Sequence, residues 1–298
     1  MSTPGVKKSW DHCPICGNLD LRLHCQLPQP MFICANCRHI FFEQIPELHE
    51  LNEYYHRYAT DHNQVTLQQT ALEYYKTHYQ ELIGQIDRER NRVTIMDYGC
   101  SYPVFLHVAK NEVGRVIGVD YDINVIKVGQ EWGIEMYLPD SLSREVQDES
   151  IDIIRFAHSI EHLVDPLETL INVVPKLGPN GIIYITQPSF PIFTLTKLEE
   201  PIQDAVWPGH LHFFNAISLG ILLRRAGLEC YKLFTHQNAE AVMLKYLHNI
   251  DFAHAAKLGI NLEESGCSFF GPLNNYPIWA GENCAAYARK SFTGSIHR

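Results

Sequence analysis

Four cysteines near the start of the chain have the spacing of a metal site. Cys13 and Cys16 form one C-x-x-C pair, and Cys34 and Cys37 form a second pair after seventeen intervening residues. Each pair lets two thiolates reach one ion from a tight turn, so two pairs complete a tetrahedral shell. Because four thiolates leave no position for water, the spacing predicts a structural zinc. The predicted zinc ribbon covers residues 1–45, a segment too short to fold stably without a metal.

Alternatives remain for this cysteine-rich segment. The two pairs could instead be redox dithiols, and His24, Cys25 and His39 are nearby substitute ligands. The other five of the nine cysteines have no regular spacing, which favours buried and unreactive thiols. They are Cys25, Cys100, Cys230, Cys267 and Cys284.

A second group of polar residues follows predicted strands later in the chain. One strand, 93–96, runs into the turn 97–101, and the next, 115–120, ends in the acid Asp120. Ligands of parallel sheets bind beyond the carboxyl ends of the strands. Asp120 is therefore placed to accept hydrogen bonds from two ribose hydroxyls, as in dinucleotide-binding folds. Asp122 remains available to cap the following helix.

These strand ends belong to a regular alternation of strands and helices. Strands are predicted at 93–96, 115–120, 134–138, 151–157, 181–186, 228–234 and 284–289. Helices are predicted at 104–111, 123–132 and 216–226, with another starting at Pro166 and a turn at 177–181. The alternation predicts an α/β fold, a seven-stranded and mostly parallel Rossmann-like sheet with helices on both faces. We assign it to residues 91–298.

The remaining segments are expected to serve that core. Residues 46–90 are interpreted as a helical linker or lid. Two insertions, at about 190–212 and 239–280, are expected to shape an acceptor pocket or an oligomer contact. The sequence leaves open whether the protein is a monomer or a homodimer.

The order of several motifs resembles class I methyltransferases, which use S-adenosylmethionine. The motifs are Val93–Ser101, Val116–Asp120, Phe156–Pro166 and Gly209–Phe214. The resemblance is narrowest to a bacterial branch with a Glu-His-Leu motif followed by Asp-Pro. Many members of that branch carry an N-terminal cysteine ribbon and then a Tyr-Tyr-x-x-x-Tyr stretch, here Tyr54, Tyr55 and, one residue early, Tyr58.

The resemblance implies a role in cofactor binding for a set of strand-end residues. Asp97, Gly99, Cys100 and Ser101 would surround the methionine part, Asp120 the ribose, Tyr121, Asp140 and Ser141 the adenine, and His158, Ser159 and Glu161 the sulfonium. One departure concerns the family turn Asp-x-Gly-x-Gly-x-Gly, whose last two glycines are Ser101 and Pro103 here. Proline fixes φ near −65°, so it would suit a helix start and exclude a turn with positive φ.

Methyl transfer depends on alignment of the acceptor with the sulfonium methyl, and a hydroxyl acceptor also benefits from a general base. The candidate bases are His158, His210 and His212, whereas His162 is interpreted as structural at a helix start. His210 and His212 share a face if the segment is extended, which places them at an acceptor pocket or a metal. The acceptor site is favoured, since no acid lies near them in the sequence.

We therefore expect a methyltransferase for a small molecule, such as a sugar or metabolite hydroxyl or carbon. The alternatives are an RNA or protein methyltransferase with the ribbon as its recognition module, and a non-catalytic binding protein. A net charge of −10 argues against a nucleic-acid partner. The absence of a signal-like start and of an apolar run of about 20 residues favours a cytoplasmic protein without membrane contact.

Overall fold

A computed structural model of the chain describes residues 8–25, 30–62, 69–188, 209–236 and 283–291. Most of the predicted insertion at 190–212 and all of the one at 239–280 lie outside the described residues. The chain divides into two compact units. The first consists of Met1–Leu51, Ile160–Ile171 and Thr186–Arg298, and the second consists of Asn52–Ser159 and Asn172–Ile185. This division groups the N-terminal segment with later parts of the chain.

The N-terminal segment is built from short antiparallel strands. They are β1 (Lys8–Ser9), β2 (Leu21–Cys25), β3 (Met31–Cys34), β4 (Ile40–Phe42) and β5 (Gln44–Ile45). A strand from much later in the chain, which is β11 (His212–Phe213), joins β4 in a sheet of order β11-β4-β3-β2. His212 pairs with Phe41 in that register, and Phe213 pairs with Ile40.

The main sheet has the predicted seven strands. They are β6 (Thr94–Tyr98), β7 (Arg115–Val119), β8 (Glu135–Tyr137), β9 (Ile151–Ala157), β10 (Leu177–Pro188), β12 (Leu228–His236) and β13 (Asn283–Lys290). Their order is β12-β13-β10-β9-β6-β7-β8. The β6 strand is parallel to both β7 and β9, and β7 is parallel to β8, while β12 and β13 are antiparallel. The predicted α/β class with a mostly parallel sheet is confirmed.

Helices follow the strands as the alternation predicts. They are α1 (Leu48–His62), α2 (Gln69–Ile83), α3 (Val104–Ala109), α4 (Ile123–Glu131), α5 (Leu142–Glu145), α6 (Pro166–Val173) and α7 (Ala216–Arg225). The α4 helix begins at the predicted cap, where Asp122 accepts a hydrogen bond from the Asn124 amide. The α6 helix begins with Pro166 as its first residue, a position where no helical amide is lost. None of the described helices is long and apolar enough to cross a membrane.

One predicted turn is part of a strand. The sequence around two glycines favoured a turn at 177–181, yet β10 begins at Leu177. A Cβ atom at Gly178 would lie 3.3 Å from the Ile151 carbonyl oxygen, and one at Gly181 would lie 2.9 Å from it. Glycine at these positions therefore serves close backbone packing beside Ile151.

Candidate functional site

The four cysteines of the paired motifs come together in the first unit. Their sulfur atoms all lie within 4.8 Å of one another. The Cys13 and Cys37 sulfurs are 3.5 Å apart, and those of Cys16 and Cys34 are also 3.5 Å apart. Thiolates about 2.3 Å from a tetrahedral zinc would be separated by about 3.8 Å. The cluster therefore fits a metal ion with four sulfur ligands.

Both cysteine pairs sit in the same kind of turn. The Gly17 amide donates to the Cys13 carbonyl at 2.8 Å, and the Arg38 amide donates to the Cys34 carbonyl at 3.1 Å. The residue that closes each turn has a positive φ, 76° at Gly17 and 58° at Arg38. The repeated geometry directs the two sulfurs of each pair towards one centre, as the sequence spacing predicts.

The second cysteine turn is joined to α7 by the side chain of Asn215, which the sequence did not indicate. The Asn215 side-chain oxygen caps α7 by accepting from the Ile217 and Ser218 amides. Its amide nitrogen donates to the carbonyls of Cys37 and Arg38, at 3.3 and 2.9 Å. A single side chain thus joins the second cysteine turn to the start of the helix.

Beside Asn215, His212 is paired with a histidine of the ribbon strands. A nitrogen of His212 lies 3.2 Å from one of His39, and both side chains are fully buried. Desolvation by burial holds the pKa of His39 well below its usual value, so it is neutral. Phe41 and Phe214 pack on the His39 ring. The surroundings of His212 are those of a core residue.

In the second unit, the turn after β6 is fixed by a glycine that cannot be enlarged. Gly99 has a φ of 69°, and a Cβ atom there would lie 2.6 Å from the Cβ of Ser159. Ser159 is buried, and its hydroxyl donates to the Tyr98 carbonyl at 2.8 Å. Ser159 is thus brought to the predicted turn, as the resemblance implied for both residues.

Replacement of Gly99 by alanine is expected to lower the free energy of unfolding by about 2 kcal/mol. The left-handed backbone costs an alanine roughly 1 kcal/mol, and the contact with Ser159 adds a packing cost. Gly133→Ala is the matched control, because Gly133 has a φ of 71° and open space around the missing Cβ. Urea unfolding of both variants separates the two costs. Equal losses would contradict a specific contact at Gly99.

Asp120 follows β7 and faces the same turn. Its Oδ2 atom accepts from the Ser101 amide at 2.8 Å, and its Oδ1 atom accepts from the Asp122 amide at 3.0 Å. Burial raises the pKa of Asp120, and these backbone donors oppose the shift. The Tyr121 amide is a third backbone donor to this carboxylate, which keeps acceptor capacity for a ribose hydroxyl.

The substituted turn positions are accommodated by the backbone. Ser101 has a φ of 47° and takes the left-handed conformation that the family glycine would supply. Pro103 has a φ of −79° and precedes the first residue of α3. No positive φ is required at the proline, so the conflict raised by the sequence does not arise.

The other residues predicted for this site lie at nearby strand ends. Both Asp140 and Ser141 lie on the short helix Pro139–Ser141, which follows β8. Ser141 donates to the Leu138 carbonyl, and Asp140 is exposed. Tyr121 is exposed directly after Asp120. Cys100 is buried, and desolvation raises the pKa of its thiol well above the usual value, so it is a neutral thiol.

His158 stands out at the end of β9. It is exposed and has a φ of 51°, which is uncommon for a residue with a side chain. Backbone strain of this kind is concentrated at functional sites. The next residue, Ser159, contacts the Gly99 position, so the His158 backbone lies close to the turn within the second unit.

Asp97 has a partner that sequence reasoning missed. Its two carboxylate oxygens accept from one guanidinium nitrogen of Arg155, at 2.9 and 2.8 Å. The Arg155 Nε atom donates to His78 at 3.2 Å, and its guanidinium lies 4.4 Å from the ring centre of Phe105. Burial raises the pKa of Asp97, and Arg155 opposes that shift. The carboxylate implied for cofactor binding is thus engaged within the sheet.

Glu161 lies in the first unit, where it meets His162 and His210. Their ligand atoms are within 4.8 Å of one another. Glu161 is 1% exposed, and its burial raises the pKa of its carboxyl to about 8. Burial also lowers the pKa of His210. The predicted base His210 thus lies beside an acid distant in the sequence.

The parallel sheet, the glycine turn and the strand-end acid define an α/β protein of the Rossmann-like class. The sequence matches the family described as a methyltransferase domain over residues 66–233. That match covers more than half of the chain. The protein belongs to this family and is a methyltransferase.

Solved structures with the same fold agree with this assignment. A protein from Thermotoga maritima, described as an S-adenosylmethionine-dependent methyltransferase and possible histamine N-methyltransferase, is 14% identical, with a TM-score of 0.50. The alignment covers 81% of this chain and 100% of that one. A complex of the Haloferax volcanii Trm112 methyltransferase activator with a candidate methyltransferase is 14% identical, with a TM-score of 0.50. That alignment covers 80% of this chain and 96% of the other. Such identities establish the fold alone. The search of curated proteins finds no match.

Proposed function

We propose that this enzyme transfers the methyl group of S-adenosylmethionine to a small-molecule acceptor. The observation that carries the proposal is the turn beside Asp120, in which Gly99 permits close approach and Ser101 donates to the acid. S-adenosylmethionine supplies the electrophilic methyl group when it is bound. The residues of the chain hold the cofactor, align the acceptor and take up a proton.

Asp120 is proposed to fix the ribose through the acceptor capacity that its backbone donors leave. Gly99, Cys100 and Ser101 form the turn around the methionine part, and Ser159 supports it from below. Tyr121, Asp140 and Ser141 are proposed to border the adenine. Asp97 acts indirectly in this scheme, because its carboxylate is engaged by Arg155.

His158 is proposed as the general base for a hydroxyl acceptor. It is exposed, it follows β9 and it holds a strained backbone next to Ser159. An imidazole titrates near neutral pH and is suited to accepting the hydroxyl proton. His212 is a weaker candidate, because it is fully buried against His39. We propose a structural role for it instead.

A small acceptor is favoured over RNA or protein by two features. The net charge of −10 repels a polyanion. The cysteine turns are also engaged within their own unit, since Arg225 donates to the Ile15 carbonyl at 2.6 Å and Asn215 to those of Cys37 and Arg38. A ribbon held in this way supports a structural zinc and leaves fewer backbone groups for recognising a macromolecule.

The test is calorimetric titration with S-adenosylmethionine and S-adenosylhomocysteine. We expect micromolar binding of both, weakened about tenfold or more in Asp120→Ala because a hydrogen bond from the ribose to a charged group is lost. Asp122→Ala is the matched control. It removes the neighbouring carboxylate and the cap of α4, so it should cost about 1 kcal/mol of stability and leave binding unchanged.

Two results would contradict the proposal. Absence of binding by the intact protein would favour a non-catalytic role for the fold. Strong, salt-dependent binding of RNA would favour the nucleic-acid alternative.

His158→Gln separates the proposed base from a positioning role, since it should lower the turnover of a hydroxyl acceptor and flatten its pH profile without changing cofactor affinity.

A further inference from the structure

Three side chains of the first unit converge in a way that the methyl-transfer chemistry does not require. Glu161 and His162 belong to the short helix Ile160–His162, and His210 lies just before β11. One ligand atom from each falls within 4.8 Å of the others. The Nε2 atom of His162 is 3.8 Å from a carboxylate oxygen of Glu161. Ligands about 2.1 Å from a shared tetrahedral ion would lie about 3.4 Å apart.

Backbone hydrogen bonds hold the two segments together. The Leu211 amide donates to the Glu161 carbonyl at 2.9 Å. In the other direction, His162 Nδ1 lies 2.9 Å from the Gly209 carbonyl oxygen. The two segments are therefore joined on both sides of His210, once through the Glu161 backbone and once through the His162 side chain.

The contact with Gly209 also determines which nitrogen of His162 faces Glu161. A carbonyl oxygen can only accept, so Nδ1 carries the proton and donates. In the neutral ring Nε2 then presents a lone pair on the side of Glu161. Metal-binding histidines are oriented by this same contact, in which the second ring nitrogen donates to a backbone carbonyl.

The surroundings of the three side chains also suit a bound cation. Glu161 is 1% exposed, and a cation would offset the desolvation of its carboxylate. The Nδ1 atom of His210 is buried and makes no hydrogen bond within the described part of the chain. The side chain of His162 is 25% exposed, which gives an ion a path from solvent.

We infer that Glu161, His162 and His210 bind a divalent transition-metal cation. Two imidazoles and one carboxylate suit zinc, iron or cobalt better than magnesium or calcium. Three protein ligands leave coordination positions open for water or for an oxygen of a small ligand, unlike the closed shell of four cysteines. This site is separate from the cysteine cluster in both ligands and chemistry.

The experiment is titration of the zinc-loaded protein with Co²⁺, followed by calorimetry and visible absorption. Binding by nitrogen and oxygen ligands produces weak d–d bands, whereas thiolates add intense charge-transfer bands. We expect one equivalent of Co²⁺ to bind with micromolar affinity and without thiolate bands. Glu161→Gln and His210→Gln should each weaken binding about tenfold or more, because each removes a ligand.

Controls keep the inference falsifiable. His107→Gln removes a histidine outside the cluster and should leave Co²⁺ affinity unchanged. Glu161→Gln preserves the side-chain volume, and its circular dichroism would show that the fold is retained. Affinity unchanged in both ligand variants, thiolate bands in the spectrum, or no binding below millimolar Co²⁺ would each overturn the site. Cofactor titration of the same samples without Co²⁺ tests the proposed function independently.

Discussion

Removal of the metal from the cysteine cluster is expected to lower the unfolding midpoint of the chain by about 10–20 °C. A structural zinc in a small domain contributes on the order of 10 kcal/mol to folding. Loss of most of that free energy produces a shift of this size in a chain of 298 residues. The expectation rests on the fit of four sulfurs to one ion.

The effect should extend beyond the ribbon because the cluster shares its core with β11 and α7. Four phenylalanines of this core are buried. Phe41 and Phe42 lie in β4 of the ribbon, and Phe213 and Phe214 lie at β11 and directly after it. Asn215 connects the second cysteine turn with the cap of α7. Disorder of the ribbon would expose this aromatic core and remove the partners of the Asn215 amide.

Cys34→Ser and treatment with a strong chelator both test this expectation. Metal analysis of the wild-type protein should find one zinc per chain more than in Cys34→Ser. Cys230→Ser is the matched control, since Cys230 is buried outside the cluster and should retain the full metal content. A metal-free wild-type protein with an unchanged unfolding midpoint would exclude a structural zinc.

The parts of this molecule that sequence predicted well depend on local rules. The β9 strand has its predicted bounds of 151–157, and Asp122 caps α4 as expected. Both follow from patterns within a few residues, namely apolar runs and capping side chains. The cysteine cluster also follows from local rules, because each turn is set by its own C-x-x-C spacing.

The contacts that the sequence did not predict join residues far apart in the chain. His210 was considered as a metal ligand, but no acid lies near it in the sequence. Glu161 reaches it through a backbone pairing with Leu211 that no local pattern encodes. The same holds for His39 and His212, which are joined by the pairing of β4 with β11.

Backbone strain was equally hidden from the sequence. Ser101 and His158 both have a positive φ, which is uncommon for residues with a side chain, and no local sequence pattern encodes it. The proline at position 103 drew attention because its restriction is intrinsic. The positive φ of this turn occurs at Ser101 instead, two residues before the proline.

Replacement of Arg155 by methionine is expected to lower the free energy of unfolding by about 3–5 kcal/mol. Arg155 and Asp97 have side-chain exposures of 10% and 2%, and both Asp97 oxygens accept from one Arg155 nitrogen. Removing the guanidinium leaves a buried carboxylate without its counter-charge, which is the costly way to break such a pair. Methionine retains the packing against Phe105, so the loss reports the charge.

The defect should depend on pH in a defined direction. Burial already raises the pKa of Asp97, and loss of Arg155 removes the interaction that opposes this shift. A carboxyl with a folded-state pKa above its unfolded value favours folding at low pH, and that stability is lost as the pH rises through the folded pKa. Urea unfolding of Arg155→Met should therefore show a larger defect at mildly alkaline than at mildly acidic pH.

Arg115→Met is the matched control, because Arg115 also forms two hydrogen bonds with a carboxylate, that of Glu135, from a neighbouring strand. That pair is partly exposed, so its loss should cost less than about 1 kcal/mol.

The double variant Asp97→Asn with Arg155→Met should be more stable than the sum of the single losses predicts, since neither charge is left buried alone. Additive losses, or equal losses at Arg115 and Arg155, would mean that the buried charge pair does not stabilise the strand that carries the turn.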